Sequence, residues 1–330
     1  MPSVAIHCKA SMSDGMGHIY RQINLANELR KKGWEIFFYI PNFAPAIDLL
    51  SQSNFTSVIM GPQSHVTEYF KKKFDVAILD IQDTTESLIF SIQKCARYIV
   101  SFEDLGAGRN HVDLLIDCNL APSKIRNLPS STRGLFGTDY SVLHPDFAYY
   151  HAESKNFGTC LQSVLISMGA TDPKNMTLPL TNFILHEKHE LKLTVLIGHN
   201  TKITHALNQL SRQFKLLDIR GPVSNMAQML WGHDVVICSG GVTLHETISV
   251  GTPAFVINQV EHQQTKARFV EKSGAAINLG MGIQYDVEKL REALNLKKHV
   301  LELMSLKAKQ LIDGRGLYRI IDAMNKLMKL

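Results

Sequence analysis

A glycine loop with a histidine follows the first apolar run of the chain. Gly15 and Gly17 lie in the segment 11–21 and let the backbone turn tightly and approach a ligand closely. His18 falls in the first turn of the predicted helix, whose N-terminus disfavours its protonated form and leaves a neutral imidazole able to take a proton. Two interpretations stay open from the loop: His18 acts as a general base, or it caps and packs a helix end.

The same loop does not predict a dinucleotide site. The dinucleotide fingerprint needs a third glycine three residues after the second, and Tyr20 occupies that position. The helix that begins there still offers unpaired N–H groups to an anionic or polar ligand. We therefore expect Gly15 and Gly17 to contact a substrate, and we expect no nicotinamide or other cofactor.

A second turn of small residues follows the apolar run at 164–168. Thr171 brings a hydroxyl into this turn, where side-chain and backbone donors can reach a diphosphate. Asp172 precedes Pro173, an arrangement typical of a helix N-cap followed by proline at the first helical position. The cap and the ligand contact are compatible, so we expect Thr171 and Asp172 to bind substrate.

A third turn, at Ser239, Gly240 and Gly241, again places a helix N-terminus after an apolar run. Glu246 lies in the first turns of that helix, where its carboxylate can accept hydrogen bonds from a ribose diol. The alternative for Glu246 is a solvated surface carboxylate. Gln263, in the polar run after the next strand, offers donors for a sugar or a phosphate.

Short apolar runs alternate with amphipathic segments along the chain, which predicts parallel sheets with helices on both faces. Ligands bind such sheets at the carboxyl ends of the strands, where the turns above fall. An irregular stretch at about 121–157 separates two series of runs. The predicted strands are 4–8, 35–40, 76–79, 98–100 and 114–116, then 164–168, 193–197, 214–217, 235–238 and 254–257.

The length of 330 residues suits two domains of roughly 150 residues each. We predict an N-terminal domain at 1–155 and a C-terminal nucleotide-binding domain at 156–330. Both are doubly wound, Rossmann-like α/β domains, and we expect them to face each other across a cleft. The segment 316–330 is predicted to form an amphipathic helix that packs back on the first domain.

The composition excludes several classes of protein. The formal charge is +5, and the basic clusters at 30–32 and 71–73 fall at helix ends without interleaved aromatic residues, which indicates solvated surfaces rather than a nucleic-acid site. The five cysteines contain no Cys-x-x-Cys pair, which indicates free thiols rather than disulfides or zinc. The polar run at 186–189 precedes a strand and is interpreted as a solvated helix end, so no metal is expected.

Nothing at the start of the sequence resembles a signal peptide, and no apolar run reaches the ~18 residues that a membrane span needs. We therefore expect a cytoplasmic protein without stable membrane insertion. The sequence leaves the oligomeric state open.

Together the motifs resemble those of the PseG/SpsG family, close to MurG, with the GT-B architecture. The matching order is Gly-x-Gly-His-x-x-Arg at 15–21, Met-Gly-x-Thr-Asp at 168–172, Ser-Gly-Gly-x-Thr-x-x-Glu at 239–246 and Gly-x-Pro at 251–253. The resemblance covers nearly the whole chain, including 101–104, 113–116 and 137–147. At 80–84 the chain has Asp-Ile-Gln-Asp-Thr in place of the Asp-His-Tyr typical of PseG, which is more like the SpsG side.

The resemblance implies a hydrolase that releases UDP from a UDP-linked 2,4-diacetamido-2,4,6-trideoxyhexose on the route to pseudaminic acid or a related surface glycan. His18 would activate the water, and Arg21 would join the glycine loop in binding substrate. Glu246 would hold the uridine ribose. Thr171 and the 239–241 turn would line the diphosphate, and no metal would be needed.

Two other functions stay open from the sequence. A GT-B glycosyltransferase of the SpsG kind would move the sugar from the nucleotide donor to a polysaccharide or other glycan acceptor. A sensor or scaffold would bind the sugar nucleotide without turnover, although His18 together with both glycine turns disfavours this reading. The segment 40–47 is short and contains two prolines, which disfavours a lipid acceptor of the MurG kind.

Overall fold

The chain forms two α/β units, each built on its own parallel sheet. The computed structural model describes residues 1–61, 66–119, 128–198 and 203–329. The first unit comprises Met1–Leu143 and Arg315–Leu330, and the second comprises His144–Gly314. The sequence prediction places the boundary twelve residues later, at 155/156, and the chain returns to the first unit for its last helix.

The first unit contains a seven-stranded sheet in the order β3-β2-β1-β4-β5-β6-β7, with every adjacent pair parallel. The central strands are almost wholly apolar because helices cover both faces of the sheet. Short 3-10 helices lie at Val66–Tyr69, Ala107–His111 and Thr138–Tyr140. The strands are β1 (Ser3–Cys8), β2 (Glu35–Pro41), β3 (Ser57–Met60), β4 (Phe74–Asp80), β5 (Ala96–Phe102), β6 (Leu114–Asp117) and β7 (Arg133–Phe136), and the helices are α1 (Gly17–Lys31), α2 (Ala44–Gln52) and α3 (Glu86–Ile92).

The second unit contains a six-stranded parallel sheet in the order β10-β9-β8-β11-β12-β13. Its core includes fully buried Val164, Ile166 and Phe255. The strands are β8 (Ser163–Ser167), β9 (Lys192–Leu196), β10 (Leu217–Arg220), β11 (Val235–Cys238), β12 (Ala254–Asn258) and β13 (Ala276–Met281). The helices are α4 (Pro145–Ala152), α5 (Thr177–Glu187), α6 (Thr204–Gln213), α7 (Met226–Trp231), α8 (Val242–Ser249), α9 (Gln263–Lys272), α10 (Val287–Ala293), α11 (Lys298–Leu311) and α12 (Gly316–Met328), of which α12 belongs to the first unit.

Each sheet reverses its strand order once, between β1 and β4 in the first unit and between β8 and β11 in the second. At such a point the connections leave in opposite directions, so a crevice opens at the carboxyl ends of the two strands. The loops after β1 and β4, and those after β8 and β11, are therefore where each unit is best able to hold a ligand.

The structure corrects three details of the sequence prediction. The stretch 121–157, predicted to be irregular, contains β7 and α4, and its residues 121–127 lie outside the described residues. α4 begins with Pro145 at its first position and His144 Nδ1 as a cap, which suits a helix start. β10 starts only at Leu217 because α6 continues to Gln213, and strands β3, β7 and β13 were not predicted.

The last helix, α12, packs against α1 and the 139–141 region of the first unit. Its first residue, Gly316, lies so close to the backbone of Ser141 that an added Cβ would stand 2.4 Å from the Ser141 carbonyl oxygen. Within the ranges described, no helix is both long enough and apolar enough to span a bilayer.

Replacing Gly316 by alanine should lower the free energy of unfolding of the first unit by about 1–3 kcal/mol, because the backbone of Ser141 must shift. A Trp231→Phe background leaves Trp34 as the only tryptophan, so its fluorescence in urea reports on the first unit. Gly221→Ala is the matched control in the second unit, since no atom lies within 4 Å of its added Cβ, and it is read through Trp231 in a separate Trp34→Phe background. An unchanged midpoint for Gly316→Ala would mean that α12 does not depend on this close contact.

Candidate functional site

A buried carboxylate organises the site of the first unit. Asp80, the last residue of β4, is fully buried and accepts four hydrogen bonds from α1. Its Oδ1 accepts from His18 Nδ1 at 2.7 Å and from Arg21 Nη2 at 2.6 Å. Its Oδ2 accepts from Arg21 Nε at 2.9 Å and from Gln22 Nε2 at 2.8 Å. The reversal of strand order brings α1 and the end of β4 together, so these contacts follow from the topology.

The charges around Asp80 keep it ionised. Burial by itself would raise the pKa of Asp80, but the charge of Arg21 and the contact with His18 outweigh it and lower the pKa to about 2. An ionised acceptor on Nδ1 requires a proton on that nitrogen, so in the neutral ring the lone pair lies on Nε2. Nε2 has no hydrogen-bond partner among the described residues. His18 is thus an imidazole held by a carboxylate through Nδ1, with Nε2 left without a protein partner in the described part of the chain.

Arg21 joins this pair to a second acid. Its Nη1 lies 2.7 Å from Oε1 of Glu103, the residue that follows β5. Cys118, just after β6, donates its thiol to the same Oε1 at 3.0 Å. The guanidinium also lies over the ring of Phe102, 5.3 Å from the centroid. Arg21, predicted to bind substrate, is therefore committed to two protein carboxylates and acts on the site by fixing them.

The glycine loop before α1 is a closed turn. The Gly15 N–H donates to the Ser11 carbonyl at 2.9 Å, and Gly15 adopts a φ of +78°, which favours glycine. Ser11 Oγ donates to Asp14 Oδ2 at 2.6 Å. No side chain caps the N-terminus of α1, which starts at Gly17, so this end stays open to a ligand.

In the second unit the turn 239–241 lies at the N-terminus of α8, between β11 and the helix. No side chain caps this helix, whose N-cap residue is Gly241, so its first N–H groups can bind an anion. An added Cβ on Gly169 would lie 3.8 Å from Ser239 Oγ, which shows that the turns after β8 and β11 are neighbours. Lys266, on α9, donates to the Gly241 carbonyl at 3.4 Å and adds a cation to this edge.

Gly240 is fixed as glycine by its surroundings. An added Cβ would stand 2.4 Å from Asn258 Oδ1 and 2.9 Å from Gln263 Cβ. Asn258 is fully buried, and its amide nitrogen donates to Asn278 Oδ1 and to the Gly280 carbonyl at 3.1 and 3.0 Å. The close approach lets the turn pack directly on the end of β12, which sets the position of the α8 N-terminus.

Gln263 presents its donor atoms beside the turn. Its Oε1 accepts from the Gln259 N–H at 2.9 Å, while its Nε2 has no hydrogen-bond partner within the described chain. Gln259 in turn accepts from the Lys174 N–H at 3.0 Å and so ties the loop after β12 to the loop after β8. The free half of Gln263 is the donor half, as a sugar hydroxyl or phosphate oxygen requires.

The carboxylate of Asp172 binds the start of helix α5 and is not open to a ligand. Its Oδ1 and Oδ2 each accept a backbone N–H at 2.9 Å, from Met176 and Thr177 at the start of α5. It adopts a φ of +41° and is buried, as is Thr171 beside it. The predicted N-cap at Asp172 with Pro173 at the first helical position is wrong, because Pro173 lies in a turn and α5 begins only at Thr177, with Met176 as the N-cap residue. The Asp172 carboxylate nevertheless occupies the N–H groups at the start of α5, so α8, not α5, offers the open helix N-terminus.

Glu246 lies in the second turn of α8 with a half-buried side chain. Its carboxyl group has no hydrogen-bond partner among the described residues. Burial raises the pKa of Glu246 to about 7. A group of this kind is poorly stabilised in the free protein, so it is available to a ligand that supplies hydroxyl donors.

Three of the site residues were missed by sequence reasoning. Asp80 directly follows the predicted strand 76–79, and Glu103 comes three residues after the predicted strand 98–100, so the carboxyl-edge rule alone marks them as candidates. Lys266 lies three residues after Gln263 on α9, a spacing that puts both on one face. The sequence signal was present in all three cases, but no spacing identified their partners.

Residues 164–316 match the Glycosyltransferase family 28 C-terminal domain. The chain is 26% identical over 341 residues to the spore coat polysaccharide biosynthesis protein SpsG of Bacillus subtilis, with 98% of each chain covered. It is 25% identical over 327 residues to an uncharacterized protein of Methanocaldococcus jannaschii, covering 89% of this chain and 67% of the relative. MurG of Acinetobacter baumannii has the same fold, with a TM-score of 0.68, 17% identity and coverage of 99% and 100%.

The two parallel-sheet units and the MurG neighbour define the GT-B fold, which confirms the predicted fold class. Within that class the chain is similar to SpsG, as its motifs indicated, and its residues 164–316 are similar to the family 28 C-terminal domain. None of these similarities distinguishes a hydrolase from a transferase.

The raised pKa of Glu246 predicts a loss of stability with rising pH. The unfolded chain releases this proton near pH 4.5, whereas the folded chain keeps it to about pH 7. The folded state binds more protons in between, so the free energy of unfolding falls as the pH rises through this window. Glu246→Gln escapes that loss and should gain about 1–3 kcal/mol over the wild type between pH 5 and pH 8.

Urea unfolding followed through Trp231, in a Trp34→Phe background, measures this gain in the second unit. Glu302→Gln, an exposed change on α11, is the matched control and should show no pH-dependent difference. Parallel pH curves for Glu246→Gln and the wild type would refute the shifted titration.

Proposed function

We propose that this chain is a GT-B glycosyltransferase that moves a sugar from a UDP-sugar donor to a hydroxyl of a glycan acceptor in polysaccharide biosynthesis. The observation that carries the proposal is the His18 Nδ1–Asp80 Oδ1 contact of 2.7 Å, which leaves Nε2 of a buried, oriented imidazole open as a base. The similarity to SpsG and to the family 28 C-terminal domain supports transfer as the reaction class.

The first unit supplies the base. The acceptor hydroxyl attacks the anomeric carbon, the bond from that carbon to the diphosphate oxygen breaks, and the hydroxyl proton passes to His18 Nε2. The imidazolium that forms lies against Asp80, which keeps its negative charge because its pKa is about 2. Arg21 and Gln22 hold the carboxylate in place during the reaction.

The second unit supplies the nucleotide site. The open N-terminus of α8 and Lys266 stabilise the charge that develops on the departing UDP. Glu246 accepts hydrogen bonds from the ribose diol, which compensates a carboxylate that the free protein leaves without a partner. Gln263 donates its free Nε2 hydrogens to the sugar or a phosphate. These groups act directly, so the proposal needs no metal or other cofactor.

Hydrolysis uses the same base, with water in place of the acceptor hydroxyl. We choose transfer as the main proposal because the domain that residues 164–316 match is that of a glycosyltransferase family, while the role of SpsG in spore coat polysaccharide biosynthesis fits either reaction. Hydrolysis of a UDP-2,4-diacetamido-2,4,6-trideoxyhexose in pseudaminic acid synthesis is therefore the competing outcome of the experiment below.

A panel of UDP-sugars, including UDP-2,4-diacetamido-2,4,6-trideoxy-β-L-altrose, should be assayed for UDP release with and without oligosaccharide acceptors. We expect release that depends on acceptor and falls roughly 10²–10⁴-fold in His18→Ala, because the proton then has no acceptor. His111→Ala, a surface histidine of the same unit, serves as the matched control. Release that is fast without acceptor would make the enzyme a hydrolase, and equal rates for His18→Ala would remove His18 from the chemistry.

Calorimetric titration separates nucleotide binding from catalysis. Glu246→Gln should bind UDP about tenfold or more weakly, since it loses charge-assisted hydrogen bonds to the ribose, while His18→Ala binds normally. The affinity of the wild type should rise between pH 6 and pH 8 as Glu246 ionises, because its pKa lies at about 7. 2′-Deoxy-UDP should bind the wild type more weakly than UDP and lose little further in Glu246→Gln.

Glu302→Gln is again the control, and it should bind UDP like the wild type. Full affinity of Glu246→Gln for UDP at pH 8 would place the ribose elsewhere.

A further inference from the structure

The backbone of Glu103 adopts an unusual conformation at the edge of the first sheet. Its φ is +49°, in the left-handed region that favours glycine. A residue with a long side chain is uncommon there and costs conformational energy. The neighbouring strand end shows the same feature at Gln82, with a φ of +65°. Such conformations persist only where the surrounding structure imposes them.

The residue after Glu103 imposes it. Asp104 is buried, and its carboxylate accepts from the Thr84 N–H at 3.1 Å, from Ser101 Oγ at 2.8 Å and from the Gly106 N–H at 2.9 Å. The Glu103 N–H donates to the Ile116 carbonyl at 2.7 Å. The backbone of Glu103 is thus fixed by adjacent strands and loops, so the position of its Cα and Cβ atoms is fixed as well.

The side chain reaches Arg21 and completes its hydrogen bonding. Arg21 donates from Nη1 to Glu103 Oε1 and from Nη2 and Nε to Asp80. All three guanidinium nitrogens therefore donate to carboxylates. The guanidinium is buried, and Asp80 Oδ1 is shared between its Nη2 and His18 Nδ1. Any shift of Arg21 therefore changes the strength of the hydrogen bond that Asp80 Oδ1 accepts from His18 Nδ1.

We propose that Glu103 is a positioning residue for His18, acting through Arg21 and Asp80. The claim rests on the proposed function for its catalytic consequence, but the interaction itself exists in the free protein. Because Arg21 also pairs with Glu103, its positive charge neutralises the charge of Asp80 less completely. Without it, Arg21 binds Asp80 alone, and Asp80 stabilises the protonated imidazole less.

Other charged and titratable groups border this cluster at the ends of the neighbouring strands of the same sheet. They are His7 and Lys9 at β1 and Asp117 at β6, and all three stay in place when Glu103 alone is changed. Cys118 differs from them, because its thiol donates to Glu103 itself and loses that carboxylate in a Glu103 variant.

Glu103→Gln tests the proposal by removing the charge while keeping the shape. Proton–nitrogen NMR of the His18 imidazole, without substrate, should show its titration midpoint moved to lower pH by about half a unit. In the kinetic assay kcat should fall about tenfold with KM changed less than twofold, and the acid limb of the pH profile should move in the same direction. Glu86→Gln, a surface glutamate of this unit, should change none of these.

Glu103→Gly tests whether relief of the left-handed φ matters for the effect on His18. Glycine accepts that φ without strain but leaves Arg21 Nη1 without its carboxylate, so the melting temperature should fall as in Glu103→Gln or less, and the His18 midpoint should move as in Glu103→Gln. Glu103→Asp keeps the charge, so the His18 midpoint in this variant should lie closer to that of the wild type than in Glu103→Gln. Adding Glu103→Gln to Asp80→Asn should cause no further shift, because the connection to His18 is already broken.

An unmoved His18 midpoint in Glu103→Gln and Glu103→Gly overturns the proposal, as does a raised KM with kcat intact, which would make Glu103 a substrate contact. If no UDP-sugar is turned over by the wild type, the proposed function fails. The NMR result then still decides whether Glu103 acts on His18.

Discussion

The first unit depends on one buried carboxylate and the four donors that surround it. Asp80 has no access to water, so its charge must be balanced by protein groups alone. Arg21, His18 and Gln22 supply that balance, and all three come from the first two turns of α1. The reversal of strand order puts that helix start beside the end of β4, so the strand order determines both the charge balance of Asp80 and the orientation of the His18 imidazole.

The sequence predicted the interior of both sheets and failed at their edges. Strands buried on both faces, such as β1 and β11, are continuous apolar runs that are easily found. The strands that were missed or displaced, β3, β7, β10 and β13, are the four edge strands. An edge strand is partly exposed and carries polar residues, as Arg133 in β7 and Asn278 in β13 show, so its apolar signal is weak.

The same limit applied to the site. His18 and Glu246 could be proposed from the sequence because each follows a glycine turn with a helix start, which is a local pattern. Asp80 and Glu103 were not assigned, because their role arises from contacts with Arg21, which lies 59 positions before Asp80 and 82 positions before Glu103, and no local spacing encodes such contacts. Asp172 shows that a local pattern can also mislead, since α5 begins at Thr177 rather than at Pro173, and Asp172 reaches the helix start from four and five residues away.

The return of α12 to the first unit has a consequence for the order in which the protein is made. Residues 1–143 leave the ribosome first, but the helix at Gly316–Met328 that packs on them is synthesised only after the whole second unit. At about 5–20 residues per second the intervening 144–314 take roughly 10–35 seconds. During that time the surface of α1 that α12 covers is exposed. The first unit therefore completes its packing only after the second unit has been synthesised.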